Sequence, residues 1–127
     1  MPLLLDTHAL IWWAAGNTIL PVNVRRRIED EEDVFVSAVT VFEITTKFMK
    51  GKLQQAAAIA HDVEAYAAGQ EFKPLPISLR HAQVAGSLPG PSRDPFDRLL
   101  IAQAMVENLQ LVSIEQPFDT YPIRRLW

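Results

Sequence analysis

The 127-residue sequence predicts an α/β fold, a parallel sheet flanked by helices on both faces, and three observations carry that expectation. Short apolar runs recur at Leu3-Leu4-Leu5, Val34-Phe35-Val36, around Leu75 and Ile77, Leu109 to Ser113 and Ile123 to Trp127. Helical segments with recognisable starts and stops alternate with these runs, and strands joined by right-handed helical crossovers lie parallel. Finally, 49% hydrophobic and 21% charged residues is ordinary globular composition, at a length that suits one domain over residues 1–127.

The elements follow in order. Leu3-Leu4-Leu5 ends at Asp6, and Ala9 to Ala15 reads as a helix closed by Gly16 and Asn17. A second short helix runs from Pro21 to Asp30 with Val24 and Ile28 inward, followed by the acidic connector Glu29 to Asp33, a solvated loop by composition. After the run Val34 to Val36, Ser37 caps a helix from Ala38 to about Lys50 that Gly51 stops. Alanine-rich Gln54 to Ala68 reads as a further helix ended by Gly69. The strand around Leu75 and Ile77 is interrupted by proline, which cannot donate to a ladder and so belongs at an edge. Ser78 caps a helix to about Ser87, and the composition of Leu88-Pro89-Gly90-Pro91-Ser92 reads as a mobile loop. Pro95 at the first helical position starts a helix to about Asn108, with Asp94 as its cap and Asp97 in its first turn.

Composition excludes several functions. There is no cysteine, hence no disulfide framework and no thiolate-ligated metal, which suits a reducing compartment and makes the cytoplasm the expected location. The apolar start is broken by Asp6, too short for a signal-peptide core or a membrane span. A net charge of -3 argues against tight non-specific nucleic-acid binding. The five glycines form neither a P-loop nor a dinucleotide fingerprint, and no nucleophile-elbow sequence is present. A phosphatase using Asp6 as nucleophile would want a second aspartate where His8 stands.

What remains is a set of acids. In an open parallel sheet the loops after the strands share one edge, where ligands bind. Asp6 ends the first strand, Glu43 lies on the helix after the second, Asp94 and Asp97 open the helix before the fourth, and Glu115 follows the fourth. Carboxylates about 4 Å apart repel by roughly 4 kcal/mol per pair at an effective dielectric of 20, so such a cluster needs a cation. An all-oxygen donor set suits magnesium or manganese rather than zinc or copper. Each acid also has an ordinary job: Asp6 and Asp94 as helix caps, Asp97 as first-turn dipole partner, Glu43 paired with Lys47, Glu115 in a turn. Thr7 and Ser113 are hydroxyls at the same edge, suited to holding a carboxylate or a phosphate oxygen, or simply to capping. His61 and His81 read as structural, and Arg25 to Arg27, Lys50, Lys52, Arg93, Arg98, Arg124 and Arg125 as a track for a phosphate backbone or as plain surface.

Leu4-Leu5-Asp6-Thr7-His8-Ala9-Leu10 with Trp12-Trp13, the Glu43 to Lys47 helix with Gly51-Lys52-Leu53, Arg93-Asp94-Pro95-Phe96-Asp97-Arg98-Leu99-Leu100-Ile101-Ala102-Gln103-Ala104 and Leu111-Val112-Ser113 together resemble PIN-domain proteins of the VapC toxin type. The resemblance spans essentially the whole chain, and the segment from Asp94 to Arg98 is its most specific part. It implies a five-stranded parallel sheet, a homodimer, and a metal-dependent endoribonuclease silenced by a VapB-type antitoxin. It also implies a metal site at Asp6, Glu43, Asp94 and Asp97, with Asp6 and Asp94 as direct ligands, Asp97 as ligand or water-positioning group and Glu43 as water-mediated ligand or base. Glu115 departs from the family, where aspartate is more usual. The antitoxin is expected to lay an apolar segment on the helix bearing Trp12 and Trp13 and to direct a basic side chain at the acids. The competing expectation is a non-catalytic interaction module of the same fold, with acids that only cap and solvate.

Overall fold

The computed structural model describes residues 1–127. Five parallel strands form one sheet in the order β3-β2-β1-β4-β5: β1 (Leu3–Leu5), β2 (Val34–Ser37), β3 (Lys73–Leu75), β4 (Gln110–Val112) and β5 (Arg124–Leu126). Six helices accompany them: α1 (Thr7–Ala15), α2 (Val22–Asp30), α3 (Ala38–Met49), α4 (Val63–Gly69), α5 (Leu79–Ser87) and α6 (Pro95–Glu107). The sheet order reverses at β1, which pairs with β2 on one side (Leu3↔Val34) and with β4 on the other (Leu3↔Gln110). Every residue of β1 is inaccessible to solvent, as a central parallel strand covered on both faces requires. Its alternation divides the core: Leu3 and Leu5 pack with α1, α2 and the 56–67 stretch, while Leu4 packs with Leu75, Leu100, Ile101 and Leu111 beneath α6.

The helix starts are set by the capping chemistry that the sequence displays. Asp6, Ser37, Ser78 and Asp94 each accept a hydrogen bond from the first turn of α1, α3, α5 and α6. At Ser78 the cap is reciprocal, because the His81 ring nitrogen accepts the Ser78 N–H at 3.0 Å, so His81 is structural, as expected. Gly16 closes α1 at φ 63°, a left-handed value that costs glycine nothing. Pro74 lies in β3, and β3 is an edge.

Three expectations need correction. Gln54 to Ala68 is not one helix: a 3-10 turn over Gln54–Ala56 follows Leu53 at φ 53°, and α4 begins only at Val63, where Asp62 accepts the Ala65 N–H. Ala56, Ile59, Ala60 and Val63 share one core at a spacing that a single helix would also satisfy, so the break comes from the left-handed Leu53 and from Asp62, whose side chain restarts the helix. The third strand is Lys73–Leu75 rather than a run through Ile77, and Pro76 bounds it. The loop before Arg93 is tied down. The Arg98 guanidinium donates to the carbonyls of Ala85, Leu88 and Ser92, and the Tyr121 hydroxyl accepts the Ser92 N–H. Gly90, at φ 108°, is required because a Cβ there would stand 2.9 Å from the Tyr121 oxygen. Arg98→Met should therefore cost about 2 kcal/mol or more of stability, since the three carbonyls lose a charged partner; urea unfolding of purified protein measures it, and an unchanged midpoint would mean water replaces the guanidinium.

On the helix expected to receive an antitoxin segment, both tryptophan rings pack against the protein itself. Trp12 is buried, against His8 and Trp127, and the Trp13 ring is covered by Arg25 and Phe72 while its indole N–H donates to Gln70. The open apolar surface is a groove of about 690 Å³ elsewhere, between α3, α4 and β3, lined by Val41, Phe42, Ala67, Phe72 and Leu75 among others. No helix is long and apolar enough to cross a membrane.

Candidate active site

The carboxyl ends of β1, β2 and β4 bring the acids to one edge. The Asp6 N–H donates to the Val112 carbonyl at 3.0 Å, so β4 fixes the residue that follows β1. The Asp6 carboxylate accepts the Ala9 N–H at 2.8 Å, and the nearby donors Ala9 and Ser113 favour its charged form. It is 6% exposed, and burial pushes its pKa up to about 6 against the lowering effect of those donors and His8. Asp6 is thus a cap and a member of the acid cluster at once.

Thr7 supplies the next contact. Its hydroxyl donates to Glu43 Oε1 at 2.6 Å, with the Thr40 hydroxyl 3.3 Å away, and all three residues are buried. Of the three roles expected for Thr7, its hydroxyl holds a carboxylate. The other Glu43 oxygen takes the Lys47 ammonium, one helical turn on. The pair expected on an exposed helix face is therefore real, but its acid faces inward and both carboxylate oxygens are occupied.

Asp94 and Asp97 enter from α6. Asp94 Oδ1 accepts the N–H groups of Phe96 and Asp97 at 2.8 and 3.2 Å, and the second Asp94 oxygen makes no hydrogen bond within the protein. Asp97 is half-buried, and its pKa rises to about 7, first from burial and then from the charges of Asp94, Glu43, Asp6 and Glu115 in that order. One carboxylate therefore feels all four of the other acids, although they come from separate segments of the chain. Lys47 lies on the same group, its ammonium held by Glu43 and attracted by Asp94 and Asp97, with the Phe96 ring 5.4 Å away. Glu115 is exposed and is the weakest of the charges acting on Asp97 and on Asp6, a peripheral position. Ser113 Oγ accepts the Glu115 N–H at 3.0 Å, linking that turn to Asp6.

A metal suits the donor chemistry of this cluster, since five carboxylates without sulfur or paired histidines form a hard-oxygen set whose mutual repulsion is visible at Asp97. No three acids are drawn tightly enough together to hold an ion as they stand, so side-chain movement accompanies any binding.

Sequence reasoning missed Lys47 as a cation inside the cluster and Thr40 as a buried neighbour of Thr7; only the four-residue spacing of Glu43 and Lys47 hinted at either. Among the basic residues, Arg98 is used up by loop carbonyls, Arg125 by Asp119 and the Ser113 carbonyl, and Arg27 by Glu31. Arg26, Lys50, Lys52, Arg93 and Arg124 stay exposed without an ion-pair partner, leaving a shorter cationic set than the sequence suggested.

A sheet reversing at β1 with acids gathered at that reversal defines a class, and sequence comparison names it: residues 3–122 match the PIN domain family, to which this chain belongs. Ribonuclease VapC22 of Mycobacterium tuberculosis is 29% identical over 112 residues, which cover 87% of this chain and 84% of that protein. Among solved structures, VapBC2 from Rickettsia felis bound to a promoter DNA fragment superposes with a TM-score of 0.74 at 16% identity, over 100% of this chain and 99% of the other. DNA-bound VapBC from Salmonella typhimurium gives 0.69 at 19% identity, over 99% and 97%.

Proposed function

We propose that this chain, as one domain over residues 1–127, is a divalent-metal-dependent endoribonuclease that hydrolyses RNA phosphodiester bonds as the toxin of a type II toxin-antitoxin pair. The observation that carries the reading is the response of Asp97 to all four other acids, a standing repulsion that costs stability unless it serves a cation. The similarity to a VapC ribonuclease supports the choice of RNA.

Asp6, Asp94 and Asp97 would hold the metal, magnesium or manganese, with Glu115 at its margin. Bound there, a divalent ion supplies an acidified water and positive charge against the phosphate. The protein's own groups do the rest. Asp94 is held by two backbone donors, which fixes one oxygen and leaves the other without a protein hydrogen bond. Glu43, its oxygens taken by Thr7 and Lys47, acts as a positioning group that carries the Lys47 ammonium to the cluster rather than as a direct ligand. Arg93, Lys50 and Lys52 are free to meet the RNA backbone.

A VapB-type antitoxin is the proposed partner, in line with the solved VapBC relatives. The groove between α3, α4 and β3 would receive its apolar segment. Phe42, 61% exposed at its rim, touches Phe96 at 5.9 Å and so links the groove to the acids. Homodimerisation and a cytoplasmic location complete the reading.

The test is metal-dependent cleavage of RNA by purified protein, with chelator as control. Manganese at about a hundred times its dissociation constant should also stabilise the fold by roughly 2.7 kcal/mol, seen as a raised Tm. Absence of both effects would favour the non-catalytic module. Within the nuclease reading Glu115 is peripheral, so at saturating metal Glu115→Gln should retain clearly more single-turnover cleavage than Asp6→Asn, and Glu115→Asp should stay close to wild type. Equal inactivity of Glu115→Gln and Asp6→Asn at every metal concentration would move Glu115 into the primary set.

A further inference from the structure

We infer that Gln103 is a positioning residue for the acid cluster: its buried amide locks the start of α3 to α6 and thereby sets the placement of Glu43 relative to Asp94 and Asp97. The inference deepens the nuclease reading and rests on it for its catalytic consequence, though not for its geometry.

Gln103 and Ser37 are both wholly buried, 66 positions apart in sequence. Ser37 Oγ accepts the Val39 N–H at 3.0 Å, so its own proton goes to Gln103 Oε1, at 2.5 Å. That assignment fixes the amide: its NH2 faces the Pro76 carbonyl at 3.2 Å and lies 3.4 Å from His81 Nδ1, which already accepts the Ser78 N–H. The remaining His81 nitrogen meets Glu107 at 2.8 Å. Each group thus has one consistent donor or acceptor role, and no buried side-chain polar atom is left without a partner. The chain of bonds joins the end of β2, the exit of β3, the start of α5 and the middle of α6.

Its place in the fold gives it a task beyond packing. Ser37 is the N-cap of α3, with Glu43 six residues further on; Gln103 lies six residues beyond Asp97 on α6. Both separations are less than two helical turns, so each helix segment transmits a shift at the lock to its acid almost rigidly. The two helices meet again at the site end, where Phe42 and Phe96 stand 5.9 Å apart. Buried apolar residues would join two helices more cheaply than an amide and a hydroxyl. What directional bonds add is one rotation and one axial setting.

Gln103→Met keeps length and apolar bulk but removes both bonds. The expected result is loss or marked weakening of the NMR cross-relaxation between the Phe42 and Phe96 rings, together with a rise of about tenfold or more in the manganese concentration needed for half-maximal cleavage, the usual scale for losing a group behind a ligand. Ser37→Gly, which preserves most capping ability, should act in the same direction, and Ser37→Thr, which keeps the hydroxyl, should restore both readouts. This second pair decides the matter if Gln103→Met fails to fold. Val24→Ala, a core truncation remote from both helices, should lower Tm while leaving ring contact and metal midpoint unchanged. Wild-type ring contact and metal midpoint in folded Gln103→Met or Ser37→Gly would overturn the inference. If wild type proves inactive with any metal but the ring contact responds as described, the nuclease reading falls and the lock stands.

Discussion

Asp94→Asn is expected to lose RNA cleavage by on the order of a thousandfold, the scale of removing one electrostatic contributor from a nuclease site, while remaining folded. Asparagine is about as good an N-cap as aspartate, and the bonds from Phe96 and Asp97 need only the side-chain oxygen that asparagine retains. The charge alone disappears. Far-UV circular dichroism and urea unfolding should therefore match wild type within about 1 kcal/mol, the usual span of a cap substitution. Single-turnover cleavage in manganese is the measurement. A variant that cleaves at the wild-type rate would show Asp94 to be a helix cap and nothing more, and the proposed site would lose the acid from its most family-specific segment.

Asp97→Asn is expected to stabilise the metal-free protein at neutral pH and to abolish most of its response to metal. In the folded chain Asp97 titrates near 7 and Asp6 near 6, both above the ordinary 3.8 of an aspartate. Between those values the folded protein holds more protons than the unfolded chain, so stability is full below about pH 4 and declines as pH rises through 6 and 7. The decline is the cost of ionising acids that burial and one another disfavour. Asparagine removes the Asp97 share, so the urea midpoints of variant and wild type in chelator should separate as pH rises from 5 to 8, the variant being higher. Added manganese should reverse the order, lifting wild type far more than the variant. A wild-type midpoint that rises across the same range without metal would contradict the crowding of acids described above.

Local chemistry made much of this legible beforehand. Asp6, Ser37, Ser78 and Asp94 announced their helices because a cap is a contact within a few residues, and the short apolar runs announced the strands. The gathering of the acids followed from parallel topology. What the sequence withheld depends on partners far along the chain. Thr7 meets Glu43 at 36 positions' distance and Ser37 meets Gln103 at 66, and no period or spacing relates them. The loop at Leu88 looked mobile because proline and glycine are read locally, whereas Arg98 and Tyr121, which pin it, come from α6 and from beyond β4. The 54–68 segment is broken by chemistry that is itself local: alanine's helical preference is interrupted by the Asp62 side chain, which caps a new helix at Val63.

The position of β1 between β2 and β4 bears on how such a protein is made. Asp6 follows β1, yet the backbone oxygen that holds it belongs to Val112, at the end of β4. Contacts of such sequence separation form late, because the loop between them must close first. A growing chain that has reached α5 can pair β1 with β2 and fold that half, but it has neither Asp94 nor Asp97 and leaves one edge of its central strand bare. The cluster of acids comes into being only when α6 and β4 dock beside β1. A chain that has paired β1 with β2 but has not docked α6 and β4 therefore lacks the acid cluster.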